Sequence, residues 1–184
     1  AASDVYKRQD IWCYDEYGKP SGNAAGSVSG MGEKYQQKYL RCSITPLKQG
    51  VKPIASIPVH GRLYYFYYEV NENYVDFLEP KVTEAFLRSV HQQYKRRLGS
   101  YIESLAGFFT DEPQISSGGY PWTPSLPAEY QKQYEESLLE KLPDLFFHSE
   151  TAYRTRIRFW RLITELFAKR YTKQVAGWLS LIHI

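Results

Sequence analysis

The sequence has 184 residues, of which 43% are hydrophobic and 23% charged, a composition typical of a single globular domain rather than a disordered chain. Its formal net charge of +3 is too small to favour nucleic-acid binding, and no apolar run approaches the roughly 18 residues needed to span a membrane. Aromatic residues make up 16% of the chain, which suits either a core or a surface that stacks on sugars.

Both ends of the sequence have the appearance of translated sequencing adaptor. The segment DVYKRQ can be encoded by GAT GTG TAT AAG AGA CAG, and the reverse complement of that stretch encodes the final six residues, LSLIHI. We therefore interpret residues 1–9 and 179–184 as adaptor-derived tails and residues 10–178 as an internal piece of a longer protein. The alternative, a basic arm at one end and a terminal strand at the other, requires two unrelated termini to be antisense copies by chance.

The first half of the chain predicts mainly extended structure. Ile11 to Tyr14 is a short apolar strand, followed by Asp15-Glu16 and a loop rich in glycine and serine. Glu33 to Leu40 is predicted as a short helix. The region of about 41–70 contains two β-branched and aromatic segments on either side of His60-Gly61, which predicts a hairpin or small sheet.

The second half predicts strands alternating with helices. Tyr74 to Leu78 is a second apolar strand with Asp76 inside it, and Pro80 then opens a helix that we expect to end near Gly99. Ile102 to Thr110 is a third strand, and Asp111-Glu112 ends it. A long Pro- and Gly-rich loop containing Trp122 is followed by helices from about Ala128 to Leu139 and from about Thr151 to Trp178.

This order predicts an α/β fold, a partial (β/α)₈ TIM-barrel segment with a small β-rich insertion at about 41–70. In such a barrel the carboxyl ends of the parallel strands share one rim, where the active site lies. Three acidic positions would meet there: Asp15-Glu16, Asp76 and Asp111-Glu112.

Paired carboxylates on one rim are the machinery of glycoside hydrolysis, in which one carboxyl protonates the leaving oxygen and the other acts as base or nucleophile. Strand alternation separates Glu112 from Asp111, so that one of the two faces the barrel lumen. Each acid also has an ordinary structural explanation, namely helix capping for Asp76 and a solvated turn for Asp15-Glu16. Tyr14 is equally compatible with a core position, and Trp122 is either a sugar-stacking platform or an aromatic residue packed on the protein.

Several stretches resemble one family of enzymes. IWCYDEYGKPSGNAAGSV, YVDFLEPKVTEAF, GFFTDEPQ, YPWTPSLPAEY and RFWRLITELF are similar to successive blocks of large bacterial glycoside hydrolases, in particular the α-L-rhamnosidases of glycoside hydrolase family 106. The two most specific blocks are YDE…PSG and FTDEP. The sequence departs from the family where Asn23-Ala24-Ala25-Gly26 replaces the usual AGG, and FTDEP has Asp111 where the Asn-Glu-Pro of a large barrel glycosidase clan has asparagine.

The resemblance implies a (β/α)₈ catalytic barrel, an inverting mechanism and a bound calcium ion near the active site. On this basis Glu112 and Glu16 are the expected catalytic carboxylates, with Tyr14, Asp15, Asp76, Asp111 and Trp122 binding substrate. The expected substrate is an oligosaccharide or a plant or bacterial polysaccharide, and the parent protein is expected in the periplasm or outside the cell. Two other hypotheses stay open: a non-catalytic carbohydrate-binding or scaffold protein, and an unrelated α/β enzyme that uses metal-assisted hydrolysis.

Overall fold

The computed structural model describes residues 10–116 and 118–182. The predicted tail at 1–9 lies outside the described residues, as do the last two positions of the tail at 179–184. Residues 179 and 180 continue the final helix, and Ile182 is buried.

Two strands form a parallel pair. Strand β1 (Ile11–Tyr14) is present as predicted, and it lies beside β5 (Leu105–Phe109), the central part of the predicted third strand. Trp12 is opposite Gly107, where an added Cβ would come within 2.5 Å of the indole ring. Glycine at this position therefore allows the tryptophan to lie across the neighbouring backbone.

The remaining strands form an antiparallel sheet in the order β3-β4-β2-β6. Their bounds are Gln36–Ser43 for β2, Ala55–Val59 for β3, Arg62–Val75 for β4 and Tyr120–Trp122 for β6. The predicted hairpin around His60-Gly61 is confirmed by the β3–β4 pairing. The β-rich region predicted at about 41–70 thus belongs to a larger sheet that also takes in neighbouring residues on both sides and a strand from the long loop.

Two predicted elements are wrong. The helix expected from Glu33 to Leu40 is only a 3₁₀ turn at Glu33–Tyr35, and β2 begins at the next residue because the long strand β4 offers it a partner along its whole length. The strand expected from Tyr74 to Leu78 is the end of β4 followed by a turn, and it runs antiparallel to its neighbour. Asp76 therefore does not end a third parallel strand.

The α-helices of the described residues all follow β4 in the chain. The single helix predicted from Pro80 to Gly99 is divided in two. Helix α1 (Pro80–Ser89) begins at the predicted proline, the helix is interrupted at Val90, and α2 (His91–Leu98) ends at Gly99, which has a φ of 57°. Helix α3 covers Leu126–Tyr134, and the short helix α4 at Leu142–Phe146 was not predicted. The predicted last helix is present as α5 (Ala152–Phe167), a π-helical turn (Ala168–Thr172) and α6 (Lys173–Ser180).

Two clusters of buried side chains hold these elements together. The larger cluster lies between the antiparallel sheet and helices α3 to α5, with Leu40, Phe66 and Phe159 among its members. The smaller cluster joins the end of β4 to α1 and the π-helical turn, and in it the rings of Phe77 and Tyr171 are 4.3 Å apart. The described residues form no closed barrel, so membership in a (β/α)₈ barrel stays a prediction.

Candidate functional site

Asp15 lies at the carboxyl end of β1, where the parallel pairing brings it beside the end of β5. Its backbone N–H donates to the carbonyl of Phe109 at 3.1 Å. The side chain is fully buried, and its carboxylate accepts hydrogen bonds from the hydroxyls of Ser21, at 2.7 Å, and Thr110. Burial raises the pKa of Asp15, while these two hydrogen bonds oppose the shift by favouring the carboxylate.

His91 lies close to this buried carboxylate, and no sequence motif pointed to a role for it. Its Nε2 is 3.8 Å from Asp15 Oδ2, too far for a hydrogen bond, and neither ring nitrogen has a hydrogen-bond partner among the described residues. The imidazole is enclosed by Phe86, Phe108 and Trp178, with ring centroids 4.6 to 5.3 Å away. Burial lowers the pKa of His91 to about 4, so the ring is neutral at pH 7.

Glu16 follows directly, but its carboxylate is occupied by the backbone. It accepts hydrogen bonds from the N–H groups of five residues, at 2.6 to 3.2 Å: Tyr17, Gly22, Asn23, Ala24 and Ala25. A carboxylate has about four lone-pair directions, so these donors leave no free direction for a substrate. This arrangement does not support Glu16 as a catalytic carboxylate.

Ser21 connects the loop after β1 to the segment after β5. Its backbone N–H donates to the carbonyl of Asp111 at 2.8 Å, and its hydroxyl accepts from the N–H of Asp111 at 2.9 Å. The Tyr74 hydroxyl donates to the Ser21 carbonyl at 2.7 Å and accepts from the N–H of Gln114 at 3.0 Å. The backbone on both sides of Glu112 is thereby fixed to neighbouring elements.

Glu112 is the most available of the predicted acids. Its side chain is exposed and makes no hydrogen bond with any described residue, and its φ of 45° lies in the left-handed region. Because β5 ends at Phe109, the side-chain alternation expected up to Glu112 does not apply. A non-glycine residue in this conformation is strained by roughly 1 to 3 kcal/mol, and such strain is concentrated at functional sites.

Asp111, the other acid of this pair, is largely covered. Its side chain is 19% exposed, and its Oδ2 lies 3.7 Å from the ammonium nitrogen of Lys19. The structure therefore brings Asp15, Glu16, Asp111 and Glu112 to one edge, but gives the four carboxylates different environments.

A cleft of about 260 Å³ opens beside this edge. Its lining includes Tyr14, Tyr17 and Tyr94, together with Asp15, Glu16 and the loop residues Ala24 and Ala25. Tyr14 lines this cleft, so its predicted role in binding substrate stays a prediction, and tyrosine rings offer both flat apolar faces and polar tips to a ligand.

Two further predicted site residues are buried like Asp15, whose two oxygens accept hydrogen bonds from the protein and do not support its predicted role in binding substrate. Trp122 is 3% exposed and belongs to the larger core cluster, so its ring packs on the protein rather than forming an open platform for sugars. Asp76 is buried beside Lys38, and its Oδ1 accepts a hydrogen bond from the N–H of Leu78 at 3.0 Å. Burial raises the pKa of Asp76 to about 6, an effect that the nearby Lys38 ammonium partly offsets.

The acidic residues at this edge are poorly suited to bind the expected calcium ion. Calcium requires six to eight oxygen ligands, yet both oxygens of Asp15 and both of Glu16 already accept hydrogen bonds. In the part of the chain that the structure describes, no three His, Cys, Asp or Glu side chains are grouped to hold a metal ion. These residues do not fit the ion as they stand.

Comparisons with known proteins identify no family for this chain. No protein-family model, curated protein or solved structure matches the chain. Within residues 10–116 and 118–182, no helix is both long and apolar enough to cross a membrane.

Proposed function

We propose that this chain carries part of the active site of a glycoside hydrolase, similar to the α-L-rhamnosidases, that acts on an oligosaccharide or on a plant or bacterial polysaccharide. The observation that carries the proposal is the state of Glu112. Its carboxylate is exposed and unpaired at the end of a parallel strand, in a strained conformation, while the neighbouring acids are buried or bonded.

In this proposal Glu112 acts as the general acid or base. Hydrolysis breaks the bond between the anomeric carbon and the glycosidic oxygen, the leaving oxygen takes a proton from a carboxylic acid, and water adds to the anomeric carbon after losing a proton to a second carboxylate. Glu112 is free to exchange a proton with substrate because no described residue binds its oxygens. The hydrogen bonds between Ser21 and Asp111 support the role by holding the adjacent backbone.

The tyrosine-lined cleft supports a saccharide as the substrate. Sugar rings have flat C–H faces surrounded by hydroxyls, and the cleft is lined by Tyr14, Tyr17 and Tyr94, whose aromatic rings suit such faces. The hydroxyls of Tyr14 and Tyr94 donate to the carbonyls of Gly18 and Tyr14, which leaves them able to accept hydrogen bonds from sugar hydroxyls. The expected calcium ion takes no part in this proposal, because the available oxygens do not fit it.

The test compares Glu112→Gln with Glu84→Gln, a matched change at an exposed helical position, in the whole open reading frame that encodes residues 10–178. Glutamine keeps the size of the side chain but cannot exchange the proton. With a panel of oligosaccharides and alkyl α-L-rhamnosides, whose leaving oxygen requires a proton, we expect Glu112→Gln to lower kcat by about 10²- to 10⁴-fold with little change in KM. Unchanged turnover in Glu112→Gln would eliminate the catalytic role.

One observation favours a non-catalytic carbohydrate-binding protein as the second candidate. Asp15 and Glu16 line the tyrosine-rich cleft, and both already accept hydrogen bonds on both carboxylate oxygens, so a sugar can be held there without being cleaved by them. Saturable sugar binding that Tyr94→Ala abolishes, with no turnover of any glycoside by the unmodified protein, would favour this alternative.

A further inference from the structure

The loop at residues 22–25 is wrapped around a side chain of its own protein. Oε2 of Glu16 accepts from the N–H groups of Gly22, Asn23 and Ala24 at 3.2, 2.9 and 2.6 Å, and Oε1 accepts from that of Ala25 at 2.7 Å. Consecutive N–H groups that converge on one point form a nest, a backbone arrangement that binds anions. Here the anion is supplied from within the chain.

The nest is held in an unfavourable backbone conformation. Ala24 and Ala25 have φ values of 50° and 53°, in the left-handed region that costs an L-residue other than glycine roughly 1 kcal/mol or more. This conformation is what turns the N–H groups inward. The charge-assisted hydrogen bonds to Glu16 are strong enough to offset such a cost.

The 22–25 loop lines the tyrosine-rich cleft and, through Ser21, is connected to the backbone beside Glu112. Ala24 and Ala25 line the tyrosine-rich cleft. Ser21, the residue before the nest, exchanges two hydrogen bonds with the backbone of Asp111 and donates its hydroxyl to Asp15. A change in the nest therefore reaches both the cleft wall and the residue next to Glu112.

We infer that Glu16 is a positioning residue, the internal anion that shapes the 22–25 loop and thereby the cleft and the Asp111-Glu112 turn. Removing its carboxylate leaves a vacant nest that a small carboxylate such as formate can fill. The effect on turnover rests on the proposed function, whereas the filling of the nest by formate does not.

The first experiment uses the ¹⁵N-labelled chain with Glu16→Ala. We expect the amide signals of the four nest residues, Gly22 to Ala25, to shift or broaden, and to return toward their original positions as sodium formate is added in a saturable titration. Sodium chloride at the same ionic strength should not restore them, and Glu72→Ala, at an exposed glutamate, should leave them unmoved. Unmoved nest signals in Glu16→Ala, or an equal response to formate and chloride, would overturn the inference.

Glu16→Gln keeps the assay decisive if the alanine variant does not fold. Glutamine fills the same space but places an NH₂ donor among N–H donors, so the nest signals should shift and formate should not restore them. Nest signals identical to those of the unmodified chain would count against a requirement for the negative charge.

The second experiment measures turnover in the whole open reading frame. Glu16→Ala should lower kcat at least 10-fold, and added formate should restore most of the lost kcat. The acidic and basic limbs of the plot of kcat against pH should keep their positions. Loss of one limb would mean that Glu16 itself exchanges the proton, and the positioning role would be wrong. If the unmodified protein turns over no glycoside, the proposed function fails while the amide titration still decides the role of Glu16.

Discussion

Replacing His91 with phenylalanine should change how the stability of this protein depends on pH. The imidazole is fully buried among Phe86, Phe108 and Trp178, and both of its nitrogens lack a hydrogen-bond partner among the described residues. The only charged group described near the ring is Asp15, at 3.8 Å. Burial without a hydrogen-bond partner makes a proton on His91 costly in the folded state, even though the Asp15 carboxylate offsets part of this cost, whereas the ring is solvated in the unfolded chain.

The size of the effect follows from the pKa values of the two states. Burial lowers the pKa of His91 from 6.5 to about 4 in the folded protein. Between these values the unfolded chain binds a proton that the folded chain does not, so the free energy of unfolding decreases as the pH falls through this window. The loss from His91 is about 2 kcal/mol between pH 7 and 5 and about 3 kcal/mol by pH 4, below which it levels off.

The assay is urea unfolding followed by tryptophan fluorescence at pH 7, 6, 5 and 4.5. Other groups also titrate in this range, Asp76 among them, and its raised pKa has the opposite effect because the folded state then binds the proton more tightly. The informative quantity is therefore the difference between the unmodified chain and His91→Phe. The same substitution at the exposed His148 serves as the control.

We expect the pH-dependent loss to be smaller by about 2 kcal/mol in His91→Phe than in the unmodified chain, whatever the repacking costs at pH 7. Equal pH dependence in the two proteins would refute the reasoning. So would an imidazole pKa at or above 6.5 measured by NMR in the folded chain, because it would mean that Asp15 stabilises the charged ring.

Two further predictions concern stability. Gly22→Ala should lower the free energy of unfolding by about 2 kcal/mol or more, because the new Cβ would lie 2.1 Å from the ring of Phe77 and Gly22 has a φ of 124°. Gly18→Ala, with open space around the new Cβ, is the control and should have little effect in the same unfolding assay. Arg170→Met should lower the free energy of unfolding by about 3 kcal/mol, because the carbonyl of Leu78 and the carboxylate of Glu129 both lose the guanidinium that donates to them. A melting temperature within a degree or two of that of the unmodified chain would contradict this prediction.

The elements that the sequence predicted correctly are those defined by local chemistry. The β-branched and aromatic residues around His60-Gly61 favour extended structure and a turn, and Pro80 and Gly99 mark the start and end of a helical segment by their own backbone preferences. The elements that it predicted wrongly depend on distant partners. Gln36 starts a strand because β4 runs beside it, a pairing that no local pattern encodes.

The same division applies to the site. By itself, the sequence determined that Asp15-Glu16 and Asp111-Glu112 follow short apolar strands, and parallel pairing was enough to predict that the two pairs lie at one edge. The environment of each carboxylate was decided only by the tertiary structure. Glu16 is bound by amides of a loop that folds back over it, and Glu112 is exposed, because the partners of a side chain come from segments that only the folded backbone brings into contact.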